Sequence, residues 1–454
     1  MKARTMLALC AAAMLAVLLP GSSLGMQRSD AASRSAKSSP ATVALDWNAN
    51  AVAAVRAAKV VEPLATAPRA IYQTEGLLYV SYVQAAVYDA ATKIGHRYLP
   101  YHHFSAPAGD ASLQAAVIAA AYNTLVYYLG DPGGALAAKY AVSIAALPDD
   151  RTTARGIAVG EAAAADIEAL RGNDGRNAAV STPYGQGPPQ PGLWVFPPSP
   201  SLQVAQTPWM AFMQPFMLQS TSQFRAPPPP ALTSAQYATD LNETEAFGSK
   251  TSVVRTPEET AIAYFWNANA INQVNQTLRD AATQHDLDLL DTARLLAAGN
   301  MVGTDAGMAC FDSKYTYQLW RPITAIGGAD TDGNPATTAD PTWSPLVATP
   351  NHPEYPSQHG CVTSALGLVL ANALGTTNID ATIQGAENGA NTLTTSRTYA
   401  TVQDLDTQLV NARVWIGFHY RNSVLAGEAL GTSVANWDLQ RYFLPTDSDT
   451  DSGD

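Results

Sequence analysis

Segments in which apolar residues recur at three- and four-residue steps run through most of this 454-residue chain, while patterns typical of β-strands are almost absent. Alanine is abundant in these segments, and alanine is the residue that favours helix most. The sequence therefore predicts an all-α fold. The predicted helices span residues 74–92, 111–129, 134–146, 149–171, 257–285, 288–312, 361–374, 405–418 and 425–442.

The two ends of the chain depart from the helical pattern. Residues 1–25 carry two basic residues ahead of an apolar run, Met6 to Leu19, that ends at small residues, as in a cleaved export signal. The run is shorter than the roughly 20 residues that cross a bilayer, although an N-terminal membrane anchor is the alternative. We expect a signal peptide at 1–25, a flexible leader at 26–41, a single all-α domain at 42–445 and an acidic, disordered tail at 446–454.

Charge and composition limit the partners of the mature protein. No later stretch of the sequence is long and apolar enough to cross a membrane, so a secreted or periplasmic protein without membrane attachment is expected. The formal net charge of −12 disfavours nucleic acid as a partner. Alanine-rich helix faces are compatible with a homo-oligomer.

A Pro- and Gly-rich insertion occupies residues 172–231 of the predicted domain. It carries Trp194, Trp209, Phe212 and Phe216, and a linker between domains rarely holds so many aromatic residues. We therefore expect an ordered loop that packs over the helices.

Three short segments of the C-terminal half combine the residue types that bind a tetrahedral oxyanion. They are residues 314–322 (KYTYQLWRP), 356–360 (PSQHG) and 413–419 (RVWIGFH). Their cations, hydroxyl group, turn N–H groups and histidines would give each of three or four anionic oxygens a donor in a dry site. Cys310 and Cys361 each stand beside one of the first two segments, so either a disulfide or two buried free thiols is possible.

Each segment taken alone also has an ordinary structural explanation. Lys314 and Arg321 could satisfy the last carbonyls of a helix. Ser357 stands where a helix N-cap points donors at an anion, but it could be a plain cap followed by a surface histidine. Arg413 and His419 lie in an apolar helix end, where a buried Arg needs an anionic partner, although His419 could be a core histidine.

Taken together and in this order, the three segments resemble the signature of the vanadium-dependent haloperoxidases and the related type 2 phosphatidic-acid phosphatase and acid phosphatase superfamily. The shared pattern is Lys-x6-Arg-Pro, Pro-Ser-x-His and Arg-x5-His, and residues 349–360 (TPNHPEYPSQHG) resemble the bacterial haloperoxidase-like branch. The resemblance covers residues 305–431. It implies an all-α fold of two four-helix bundles, with vanadate held as cofactor at the end of one bundle.

The resemblance also implies which residues bind the oxyanion. Lys314, Arg321 and Arg413 would neutralise its oxygens, while Ser357 and the backbone N–H of Gln358 would donate hydrogen bonds. Glycine is usual at the position of Gln358, but the required donor belongs to the backbone, so oxyanion binding is expected to survive.

The predicted catalytic residues are His419, His359 and Lys314. By the same resemblance, His419 is the axial ligand of vanadium and His359 the acid–base residue that helps hydrogen peroxide bind. Vanadium would act as a Lewis acid, and halide would attack the polarised peroxide to give hypohalite, which passes to an organic acceptor where there is one. His352 stands where relatives that use bromide tend to have His and those that use chloride tend to have Phe, which favours bromide.

Two other functions remain open. A phosphatase of the same superfamily would use His419 as a nucleophile on phosphorus and His359 as the proton donor to the leaving group. Such enzymes depend on an Asp four residues after the nucleophilic His, where this chain has Ser423, so the sequence favours a haloperoxidase. The third reading is a non-catalytic oxyanion-binding protein, which the presence of His359 beside Ser357 disfavours.

Overall fold

The computed structural model describes residues 41–61, 67–196, 204–388 and 392–446. These residues are mostly helical, which confirms the all-α fold, while the arrangement in two four-helix bundles stays a prediction. Among them, no helix has both the length and the apolar character required to cross a membrane. The predicted signal peptide, nearly all of the leader and nearly all of the acidic tail lie outside the described residues.

The N-terminal half contributes a group of helices that surround α2. Helix α2 (Gln73–Gly95) is buried along most of its length because small and apolar residues occupy nearly every face. It packs against α1, α3, α5 and α9. The helices of this half are α1 (Thr42–Ala57), α2, α3 (Leu113–Leu129), α4 (Ala135–Ala145) and α5 (Arg151–Arg171). Helix α6 (Ala235–Gly248) follows the Pro-rich insertion and packs against helices of the C-terminal half.

The C-terminal half carries the helices on which the predicted site residues lie. The helices are α7 (Pro257–Phe265), α8 (Ala270–Gln284), α9 (Leu289–Tyr317), α10 (Pro322–Gly327), α11 (Gln358–Leu374), α12 (Val402–Trp415) and α13 (Arg421–Leu439). Helix α11 packs against α9, α12 and α13, and α9 also packs against α2. The long α9 therefore belongs to the cores of both halves.

The helix predictions differ from the structure in several places. The predicted helix 257–285 is two helices, because the Asn269 side chain accepts hydrogen bonds from the backbone of Ile271 and Asn272 and starts α8 anew. Helix α9 continues past residue 312 to Tyr317, where Gln318 adopts a left-handed conformation with φ of 47°. Helices α1, α6 and the short α10 were not predicted.

Two short antiparallel hairpins were also missed. The first pairs β1 (Lys59–Val60) with β2 (Arg69–Ala70), and the second pairs β3 (Asn378–Gly385) with β4 (Thr395–Thr401). Buried and exposed residues alternate along β3, and the Gln273 side chain of α8 donates to the Gln384 carbonyl oxygen. One face of this hairpin is therefore covered by α8, and the other face is exposed or partly exposed.

The described part of the Pro-rich insertion is an ordered layer over the helices. Trp194 and Trp209 are buried, although Phe212 is exposed. The buried carboxylate of Asp305 in α9 accepts the backbone N–H groups of residues 216–218. The insertion also bonds to the segments that carry the predicted site: Trp194 N–H donates to the Gln318 carbonyl, Trp320 N–H to Gly192, Gln206 N–H to Asn351 and the Tyr355 hydroxyl to Pro227.

Candidate active site

The three predicted segments converge in space. Lys314 lies in the last turn of α9 and Arg321 immediately precedes α10, whereas Arg413 lies in the last turn of α12 and His419 in the turn before α13. Ser357 caps the N-terminus of α11, and its N–H donates to the Ser423 carbonyl oxygen at 2.8 Å. All five side chains are almost completely buried.

Arg321 contacts both His419 and His352. Its Nη1 lies 3.3 Å from Nε2 of His419 and donates to the Phe418 carbonyl, while its Nη2 lies 2.9 Å from Nδ1 of His352. A guanidinium can only donate, so each imidazole must present a lone pair to it. Burial, with the charge of Arg321 adding to it, lowers the pKa of both histidines well below the usual range, which keeps both rings neutral.

Lys314 is engaged by the loop that precedes α11. Its Nζ donates to the carbonyl oxygens of Pro353 at 3.0 Å, Glu354 at 2.9 Å and Pro356. These three acceptors take all three hydrogens of the ammonium group. Burial lowers the pKa of Lys314 to about 8. Lys314 therefore fixes the loop in this structure. It would attract a bound anion through its positive charge and not through a hydrogen bond.

Arg413 is a buried cation without a carboxylate partner in the described part of the chain. Its Nη1 donates to the Trp266 carbonyl at 3.0 Å, and its guanidinium lies 5.1 Å from the centre of the Phe418 ring. Its Nε has no hydrogen-bond partner among the described residues. Burial and the nearby charge of Arg321 lower the pKa of Arg413 to about 9. Such a group is costly unless an anion binds beside it.

The N-terminus of α11 offers further unused donors. Ser357 is the N-cap, yet its hydroxyl makes no capping bond and has no partner among the described residues. The ordinary explanation of Ser357 as a helix cap is therefore wrong for its side chain. The amide of Gln358 lies over Gly307 of α9, where an added Cβ would come within 3.0 Å of its Nε2. The glutamine side chain is thus accommodated beside α9 and leaves the turn intact.

A close approach of two glycines holds the turn that carries His419. Gly417 has φ of 80°, and a Cβ there would lie 2.6 Å from the Gly248 carbonyl oxygen of α6. The Thr244 hydroxyl of the same helix donates to the His419 carbonyl at 3.2 Å. Helix α6, which the sequence did not predict, therefore fixes the backbone of the predicted ligand.

Glu354 is a site residue that the sequence did not identify. Its Oε1 lies 2.8 Å from Nδ1 of His419 and accepts the N–H of Tyr420 at 3.2 Å, and its Oε2 accepts the Ser423 hydroxyl at 2.7 Å. It is completely buried, which raises its pKa to about 7 against the lowering effects of Ser423 and Lys314. Its place in the Pro-rich stretch three residues before Ser357 was the only available signal.

This contact corrects one step of the sequence argument. Ser423 stands where the phosphatases have the Asp that orients their histidine, and for that reason the sequence favours a haloperoxidase over a phosphatase. The structure shows that a carboxylate does contact His419, and that Ser423 donates to it. The residue at position 423 therefore does not separate the two functions.

His359 and the two cysteines complete the surroundings. His359 is partly buried, its Nε2 has no partner among the described residues, and the charges of Arg413 and Lys314 add to burial in lowering its pKa well below the usual range. Cys310 and Cys361 are buried free thiols in the structure, and the Cys310 sulfur contacts the Pro356 carbonyl oxygen at 3.6 Å. Of the two alternatives for these cysteines, the structure has the free thiols.

A surface cavity of about 430 Å³ lies beside the site. Ile323, two residues after Arg321, and Asn351, directly before His352, line it, together with Lys250 and residues 344–350. Phe311 covers another side of His352, with the two ring centres 5.6 Å apart.

Known proteins that resemble this chain were found by sequence and by structure. Residues 294–444 match the family described as the VCPO second helical-bundle domain. In sequence and in fold, this chain resembles the vanadium-dependent haloperoxidases. The vanadium chloroperoxidase of Curvularia inaequalis is 26% identical over 39% of this chain, and the match spans only 37% of that relative.

Solved vanadium haloperoxidases share the fold over most of the chain. The crystal structure of a bacterial vanadium-dependent iodoperoxidase has a TM-score of 0.70 at 19% identity and covers 89% of this chain and 98% of its own. A holo-type bacterial vanadium-dependent chloroperoxidase has a TM-score of 0.65 at 19% identity, with 81% and 92% covered. The predicted resemblance is confirmed.

The residues present fit the vanadate that this resemblance implies. Buried donors on Ser357 and Arg413 have no partner in the part of the chain that the structure describes, and Nε2 of His419 presents a lone pair beside the cation Arg321. Among the described residues there is no cluster of three His, Cys, Asp or Glu side chains that could hold a bare metal ion. A metal oxyanion bound through one nitrogen suits this set of donors better than a metal cation does.

Proposed function

We propose that this protein is a vanadate-dependent haloperoxidase that oxidises halide, with bromide favoured, by hydrogen peroxide to hypohalite. The observation that carries the proposal is the buried cluster of Lys314, Arg321 and Arg413 around one neutral histidine, His419, whose Nε2 faces the cations. A tetrahedral anion would supply the negative charge that this cluster lacks.

The protein residues have separate tasks in this proposal. Arg321, Arg413 and Ser357 would hold the oxygens of vanadate, and Nε2 of His419 would bind its metal. When bound, vanadate supplies a Lewis acid that polarises peroxide without a change in redox state. The neutral imidazole of His359 can take up a proton at Nε2 when hydrogen peroxide enters and can return it later. The net reaction converts hydrogen peroxide, bromide and one proton into hypobromous acid and water.

Small substrates suit the buried site. Peroxide and halide could approach through the cavity beside Ile323 and Asn351, where Lys250 adds a positive charge at the surface. Bromide preference rests on His352, which contacts Arg321 inside the site. Export, an organic acceptor and a homo-oligomeric state stay predictions. N-terminal sequencing of the protein from its natural source would test the export signal at residues 1–25.

A phosphatase that forms a phosphohistidine at His419 is the second candidate, because Glu354 supplies the carboxylate partner that a nucleophilic histidine requires. Two assays on one preparation distinguish the candidates. A haloperoxidase reconstituted with vanadate should brominate a phenolic dye only when peroxide and bromide are both present, and phosphate should compete with vanadate. A phosphatase should hydrolyse an aryl phosphate without peroxide and be inhibited by vanadate. Bromination that is absent at saturating vanadate would reject the first proposal.

A further inference from the structure

We infer that Glu354 and Ser423 together form the positioning unit that makes His419 a ligand for a metal oxyanion, in place of a carboxylate on the helix that follows the histidine. The inference rests on the proposed function, since it concerns the residue that would bind vanadate. It assigns to Glu354, which lies on a different segment from His419, the task of orienting the ring and raising the basicity of its outer nitrogen.

The three donors that surround Glu354 fix its carboxylate. One oxygen accepts from Nδ1 of His419 at 2.8 Å and from the backbone of Tyr420 at 3.2 Å, and the other accepts from the Ser423 hydroxyl at 2.7 Å. Glu354 has no solvent-exposed surface, and Ser423 is only 2% exposed. With both oxygens bound and no room for water, the carboxylate holds a single orientation.

The carboxylate and Arg321 together define which nitrogen of His419 carries the hydrogen. Arg321 is a donor only and lies 3.3 Å from Nε2, so that nitrogen must present its lone pair. Nδ1 then carries the hydrogen and donates it to Glu354. A hydrogen bond from Nδ1–H to a carboxylate pushes electron density toward Nε2, which strengthens a bond from Nε2 to a metal.

The segment that carries Glu354 is held rigidly enough to orient another residue. Lys314 donates to the carbonyl oxygens on both sides of the Glu354 side chain and to that of Glu354 itself. Ser423 connects to the same loop twice, because its hydroxyl donates to Glu354 and its carbonyl accepts the N–H of Ser357. Helices α9 and α13 thus hold this loop from two sides.

Comparing the binding affinities of vanadate and phosphate distinguishes a residue that positions His419 from one that only supports the fold of the site. Vanadate can form a coordinate bond to Nε2 of His419, whereas free phosphate is held only by charge and hydrogen bonds. A residue that acts through His419 must therefore change vanadate affinity more than phosphate affinity. A residue that merely supports the fold of the site must change both affinities together.

The experiment measures the dissociation constants of inorganic vanadate and inorganic phosphate by calorimetry for the full chain and its variants. In Glu354→Gln we expect vanadate binding to weaken by about 10- to 100-fold, as for other residues that orient metal ligands, with little change for phosphate. In the double variant Glu354→Gln, Ser423→Asp, the helix that follows His419 supplies a carboxylate in place of Glu354. The preference for vanadate over phosphate should then be restored.

A matched control is a second buried carboxylate that accepts from a serine, Asp406, whose Oδ1 accepts the Ser364 hydroxyl at 2.9 Å. Asp406→Asn should leave both affinities unchanged. If Glu354→Gln fails to fold, Ser423→Ala should give a smaller loss of vanadate affinity alone. Equal loss of both oxyanions, or no loss of either, overturns the inference. A wild-type protein that binds vanadate no more tightly than phosphate would instead contradict the proposed function.

Discussion

Nη1 of Arg321 lies 3.3 Å from Nε2 of His419, although 98 positions of sequence separate the two residues. A permanent donor beside a neutral ring leaves that nitrogen with its lone pair toward the cationic cluster, so the atom that would bind vanadium is in the required state before any ligand arrives. The pair is therefore the part of the site from which direct tests should start.

We predict that His419→Ala abolishes vanadate-dependent bromination and leaves the fold intact. Loss of the ligand itself should weaken vanadate binding by more than about 100-fold, because loss of a residue that only orients a ligand already costs about 10- to 100-fold. Equilibrium dialysis would measure the affinity, and circular dichroism would check the fold. A variant that retains full activity would contradict the assignment of His419 as the ligand.

For His359→Ala we expect loss of bromide oxidation while vanadate binding is retained. Its Nε2 has no partner among the described residues and its imidazole is neutral, so it can carry a proton without being required to hold the anion. Bromide oxidation should fall by about 100-fold or more, in the range of general acid–base contributions, while vanadate affinity stays close to wild type. His285→Ala, at an exposed position, is the control. Loss of vanadate binding in His359→Ala would show that the two histidines share the task of binding.

Arg413→Met should make the vanadate-free protein more stable while it weakens oxyanion binding. Arg413 is buried without a carboxylate partner among the described residues, so nothing there offsets the cost of burying its charge. Replacing it by an apolar side chain of similar size should stabilise by about 1–4 kcal/mol, the range found when buried ion pairs are replaced in this way. Thermal unfolding would be followed with and without vanadate, and the rise in melting temperature on adding vanadate should be much smaller in the variant.

A second buried arginine provides the matched comparison for Arg413. Arg171 is equally buried but is paired with Asp174 at 3.1 Å. Arg171→Met leaves that carboxylate unpaired, so it should destabilise the protein by about 3–5 kcal/mol. If both methionine variants are destabilised to the same extent, Arg413 contributes to the fold and not to an anion site.

The sequence predicts site residues that follow a spacing within one segment, but not those that reach the site from a distant segment. The spacing of charged residues and histidines within three segments identified Lys314, Arg321, Arg413 and His419, and the structure brings these residues together. Glu354 could not be predicted, because a single Glu in a proline-rich loop has no periodicity, and its partner lies 65 positions away. The contact between Glu354 and His419 forms because α9 and α13 hold the loop before α11 in place.

The same limit applies to the fold. Helices with continuous apolar faces, such as α2 and α11, were predicted to within about three residues. Helix α6 was missed because its buried face is made partly of Asp240, Thr244 and Gly248, which carry little hydrophobic signal. Gly248 is there because the turn at Gly417 approaches it closely, a constraint that appears only in three dimensions.

Halide preference can be tested at His352. In His352→Phe the Nη2 of Arg321 loses its acceptor at 2.9 Å and becomes free to donate to a bound oxyanion. Stronger polarisation of the bound group should assist chloride, the harder halide to oxidise, so the ratio of kcat/KM for chloride to that for bromide should rise. His352→Asn, which keeps an acceptor for Arg321, should retain the wild-type ratio. An unchanged ratio in the Phe variant would remove the basis for proposing bromide.

Asp406 should make the stability of the folded protein depend on pH. Burial raises the pKa of Asp406 to about 7, with Glu428 adding to the effect, while the unfolded chain has the usual value near 3.8. Between these values the folded state holds a proton that the unfolded state has lost, so this residue makes stability fall as pH rises, by about 1.4 kcal/mol per pH unit, and the fall ends above pH 7. Asp406→Asn removes this effect. Urea denaturation of both proteins at pH 5 and pH 8 should show the variant gaining stability relative to wild type at the higher pH, and a difference that is independent of pH would contradict the raised pKa.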